Sequence, residues 1–80
     1  MTNEIMKTRA VFAPMTGMLI KIVTGTVALA ASSTLFASEA MKMEVRENTQ
    51  VSGLFTSFLA AGTAVVMGEV IGYFTPTDET

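Results

Sequence analysis

Lys42 is the residue whose type and setting could do chemistry. The chain has three lysines, Lys7, Lys21 and Lys42. Only Lys42 stands between two methionines, in the run Glu39-Ala40-Met41-Lys42-Met43-Glu44. A lysine amine is protonated at neutral pH and needs a neighbouring base to become a nucleophile. The sequence contains no His and no Cys, so the commonest general base and the thiolate are both missing. With neither present, Lys42 does not read as a nucleophile in turnover, and no catalytic residue is assigned. Glu39 and Glu44 are not read as an acid–base pair, because nothing near them in the sequence suggests a substrate pocket.

Composition leads the same way. Eighty residues make one domain, and a chain of this size buries only about 60% of its unfolded surface. Without Cys there is no disulfide and no thiolate metal site, and no metal is expected. Half of the residues are apolar and 15% are charged, with Lys+Arg 5 against Asp+Glu 7. That balance offers no basic footprint for a nucleic acid, and the chain is too hydrophobic for a disordered tail. Most self-contained enzymes are excluded before any motif is considered.

Two uncharged stretches bear on targeting. Residues 22–38 follow Lys7 and Arg9 at a distance and end near small residues spaced like a leader-peptidase site. Lys21, Pro14, Gly17 and a series of Ser and Thr dilute the pattern, so a secretory leader is not the preferred reading. Residues 48–68 contain Gln50, Ser52, Thr56, Ser57 and three glycines, which argues against a membrane span. A cytoplasmic location without membrane insertion is expected.

The elements that must position Lys42 read as strands. Residues 1–9 form an N-terminal arm, 10–74 the domain, and 75–80 a polar C-terminal tail. Met18–Val23, Leu54–Leu59 and Val70–Phe74 are β-prone runs bounded by glycines. Helical readings of 29–35 and 58–66 lack caps and are broken by Ser, Gly and Thr. Gly17 and Gly53 each open an apolar run, Gly25 and Gly62 each close one, and Lys42 lies near the midpoint of the body. Two similar halves that interleave follow from this spacing.

The central run resembles the attachment site of the biotin carboxyl carrier (biotinyl) family. Ala13-Pro14-Met15-Thr16-Gly17 resembles the segment that opens that domain. Gly53 follows Lys42 by eleven residues, as the family places the glycine of its second half, and Gly62, Val65 and Gly68 match a later turn. The resemblance implies an all-β flattened barrel-sandwich of two four-stranded antiparallel sheets with pseudo-twofold symmetry, its target lysine at a hairpin tip. It implies that a biotin protein ligase attaches biotin to Lys42. The arm would then carry carboxylate between a biotin carboxylase and a carboxyltransferase, the domain itself being non-catalytic. Glu39, Ala40, Met41, Met43 and Glu44 would serve ligase or partner recognition. Pro14, Gly17, Gly53, Gly62 and Gly68 would be structural turn positions, with Pro14 and Met15 on the surface beside the hairpin.

If Met41 and Lys42 are the central residues of a two-residue hairpin, one or both must adopt positive φ, which Asn and Gly do more easily. Ala40 would then face Met43, and Glu39 would face Glu44, an unfavourable like-charge pair. The chain departs from the family pattern in places. Its turns read Thr24-Gly25-Thr26 and Ala61-Gly62-Thr63 in place of charged ones, and Ser32 or Ser33 stands where a second turn glycine is usual. There is no room for the protruding thumb insertion of some carriers. A lipoyl-type carrier and a non-modified adaptor of the same fold are the alternatives.

Overall fold

The computed structural model describes residues 8–77. The expected N-terminal arm therefore lies outside the described residues except for Thr8 and Arg9, and the expected tail except for 75–77. Eight strands are formed: β1 Arg9–Phe12, β2 Gly17–Ile22, β3 Gly25–Leu29, β4 Thr34–Ala40, β5 Met43–Asn48, β6 Gly53–Ser57, β7 Ala64–Val65 and β8 Val70–Pro76. The described residues hold no helix, so none is long and apolar enough to cross a membrane. The strands run slightly past the expected domain limits, because Arg9 pairs with Phe74 and Gly53 with Pro76.

Two antiparallel four-stranded sheets result, in the orders β1-β8-β6-β3 and β5-β4-β2-β7. Exchanging each strand for the one four places away converts the first order into the second, as a pseudo-twofold axis requires. The registers repeat as well. A shift of 36 residues turns Arg9↔Phe74 and Ala10↔Tyr73 into Val45↔Ser38 and Arg46↔Ala37. Even the irregularity is repeated: pairing skips Ile71 opposite β1 and Leu35 opposite β5, and both skipped side chains are buried.

The connecting segments obey the same symmetry. Ala13 N–H donates to Glu69 O (2.8 Å) and Gly68 N–H to Ala13 O (2.9 Å). Their counterparts run from Thr49 N–H to Ser33 O (2.9 Å) and from Ser32 N–H to Thr49 O (2.8 Å). Gly68 has φ +87° and Ser32 has φ +75°. Ser32 thus occupies the position that suits glycine, in a conformation that costs a non-glycine residue roughly 1–2 kcal/mol.

Leu19, Phe36, Phe55 and Ile71 are the fully enclosed apolar side chains between the sheets. Symmetry is broken here by compensating sizes. Phe36 answers Gly72, and Phe74 answers Ser38, so bulk is exchanged across the axis while the close packing of an interior is kept. A Cβ on Gly72 would run into the Phe55 ring and the Thr56 carbonyl. The cost falls on Ser38, whose hydroxyl is buried without a hydrogen-bond partner among the described residues.

Candidate functional site

Lys42 lies in the turn between β4 and β5. Ala40 pairs with Met43, so Met41 and Lys42 are the two central residues of the hairpin. Their φ angles are +51° and +70°. Two left-handed residues in succession make the mirror-image turn whose twist matches that of the flanking strands. No glycine or asparagine eases it, and each residue carries a cost of roughly 1–2 kcal/mol. Met41 is 97% exposed and Met43 63%. Lys42 is exposed, and its amine makes no hydrogen bond or ion pair among the described residues.

The strands beneath the turn hold it in place. Glu39 pairs with Glu44 across β4 and β5 and with Met18 of β2 on the other side. The two facing carboxylates are exposed, and Arg46 Nε lies 3.0 Å from Glu44 Oε2. Arg46 stands two residues along β5 and so on the same face as Glu44. Its charge offsets part of the Glu39–Glu44 repulsion, though an exposed pair of this kind contributes little stability by itself. Arg46 and Met18 were not among the residues singled out from sequence. The alternation of β5 could have flagged Arg46, whereas Met18 requires knowledge of which strand lies beside β4.

Gly17 and Gly53 correct the expectation of turns. Both stand at the head of a strand, β2 and β6. What restricts them is close approach: a Cβ on Gly17 would collide with the Glu39 carbonyl, and one on Gly53 with the Phe74 ring and the Thr75 carbonyl. Gly17 therefore brings β2 against β4 directly below the modified-lysine candidate. Gly62 and Gly68 do lie in turns with φ +97° and +87°. Pro14 is exposed and Met15 half-buried in the bend leading into β2. That bend is tied to the β7–β8 connection by Met67 N–H donating to Thr16 Oγ1 (3.0 Å).

The structure thus gathers Glu39, Ala40, Met41, Lys42, Met43 and Glu44 at one hairpin end, with Gly17 beside its base. Gly53 is the pseudo-twofold counterpart of Gly17, at the base of the β6–β8 pairing. The arrangement presents one primary amine to solvent. Among the described residues no group of three His, Cys, Asp or Glu is placed to hold a metal ion.

No protein-family model matches the sequence. No curated protein matches it either. A solved structure of a single-chain, multi-domain long-chain acyl-CoA carboxylase is similar, with a TM-score of 0.78 and 24% identity. The match covers 89% of this chain and 7% of that one, so this chain spans a small fraction of its neighbour. At this identity the likeness is one of fold: the chain has the two-sheet, pseudo-twofold barrel-sandwich of the biotinyl type, and a segment of a carboxylase shares it.

Proposed function

We propose that this chain is a non-catalytic biotin carboxyl carrier domain, biotinylated on Lys42 by a biotin protein ligase and acting in the cytoplasm. The observation that carries the reading is the turn itself. Met41 and Lys42 both take positive φ where Asn-Gly would be cheaper. A strained turn with two exposed methionines and an unpaired amine has no evident value for stability, so its residues are better explained by what must recognise them.

The chain's own part is presentation. The rigid pairing of β4 with β5 and β2 holds the Lys42 amine away from the sheet surfaces, within reach of an enzyme's cleft. Met41 and Met43 offer soft, adaptable apolar contact on either side. Glu39 and Glu44 mark the same end with negative charge. The fit to biotin is chemical: a free primary amine forms an amide with an activated carboxyl group, and no other group is needed from this chain. Acylation replaces the ammonium by a neutral amide and takes the formal net charge from −2 to −3. Once attached, biotin would take up carboxylate at a biotin carboxylase and release it at a carboxyltransferase. Tethering would raise its local concentration at both sites.

Co-expression with a biotin protein ligase, followed by intact mass and avidin capture, tests this. One biotinyl group is expected on the wild type and none on Lys42→Arg. Labelling retained in that variant, or attachment of lipoate with refusal of biotin, would overturn the reading.

A further inference from the structure

Four strands form the edges of the two sheets: β1 and β3 in one, β5 and β7 in the other. Unpaired edges invite pairing with another chain, and folded proteins guard them with charge, shortness or irregularity. Three of the four are guarded. β5 carries Glu44, Arg46 and Glu47, β1 opens with Arg9 and is irregular at Phe12, and β7 has only two residues. β3, Gly25-Thr26-Val27-Ala28-Leu29, has five residues with no charge and no proline. Its counterpart β7 is cut short by the Ala61-Gly62 turn, in which Thr63 N–H donates to Ala60 O (3.2 Å). Of the other strands, only β6 packs closely on β3.

A second observation concerns the face that β3 continues. The outward rows of its sheet run Thr26-Thr56-Tyr73 and Ala28-Leu54-Thr75. They hold no charged residue. The equivalent rows of the other sheet carry Lys21, Glu39, Glu44 and Arg46.

We infer that β3 is a self-association edge: two copies of this chain pair antiparallel through β3 about a twofold axis. The occupant follows from charge. The chain is net negative, so copies repel through most approaches, but this edge and its face present none of that charge. A strand from a charged partner would find no counter-charge there. A second β3 offers the same uncharged row and the matching backbone donors and acceptors, which an isologous contact requires. The result is one continuous eight-stranded sheet with both Lys42 hairpins left uncovered. The inference does not depend on biotinylation.

Sedimentation equilibrium of the full chain, up to roughly 1 mM, tests it. A reversible monomer–dimer equilibrium is expected. Ala28→Lys and Ala28→Glu, at an exposed position, should each weaken it at least tenfold without altering the thermal unfolding of the dilute monomer. Lys42→Arg should leave it unchanged. A wild type that stays monomeric over the whole range would overturn the inference, as would variants that dimerise like the wild type. A mass that rises past the dimer would also overturn it, since twofold pairing is closed.

Discussion

The β4–β5 hairpin and the β8–β1 pair are one structure built twice, with opposite solutions at equivalent points. Both show the same register and the same irregularity. In the β8–β1 pair no turn joins the strands, and the position equivalent to Glu39–Glu44 is filled by Thr8 and Thr75, whose hydroxyls are hydrogen-bonded at 2.6 Å. In the hairpin the same position holds two like charges, capped by a turn of two strained residues. The β8–β1 pair shows that this fold needs neither the turn nor its residues for the pairing to form. What is unfavourable at the hairpin end is therefore free to serve recognition, which is the role proposed for it above.

Four variants probe that difference. The largest effect belongs to the glycines that set the strand approach at each end. Gly53→Ala should cost about 3 kcal/mol and Gly17→Ala about 2 kcal/mol, as overpacking against backbone and ring atoms does. Denaturant midpoints would measure both. A neutral Gly17→Ala would show that β2 is not held against Glu39 as described. Next is the turn. Met41→Asn combined with Lys42→Gly should raise stability by about 1–2 kcal/mol by relieving the left-handed strain, while removing the proposed acceptor. Calorimetry showing no gain would remove the contrast between the two ends. The smallest effect is expected from copying the Thr8–Thr75 solution onto the hairpin. Glu39→Thr with Glu44→Thr should gain less than about 1 kcal/mol, because Arg46 already offsets part of the repulsion. The gain should shrink at high salt, where exposed charges are screened; a salt-independent gain would point to packing instead.

Much of the site is legible in the sequence. The hairpin pairs Ala40↔Met43 and Glu39↔Glu44 follow from placing two residues in the turn, since a hairpin's register is fixed by its loop. The β-prone runs at Met18, Leu54 and Val70 lie within β2, β6 and β8. The other five strands could not be delimited by pattern. β3 alternates in burial but its side chains differ too little in polarity to show it, β7 is two residues long, and β4 is buried almost throughout. Gly17 and Gly53 were recognised as structural, but their reason was not. Crowding by a carbonyl from a strand more than twenty residues away leaves no local trace, whereas positive φ at Gly62 and Gly68 belongs to local turns.

The sequence by itself determined that this chain has no His and no Cys, that its glycine-bounded runs repeat, and that Lys42 stands near the midpoint between them. These are matters of composition and spacing, which survive without knowledge of contacts. Only the tertiary structure decided that the repeat is a true 36-residue symmetry, that Met18 and Arg46 flank the acidic pair, and that β3 alone among the edges is unguarded. Those facts depend on which strands become neighbours, and that is set by how two interleaved sheets share one core.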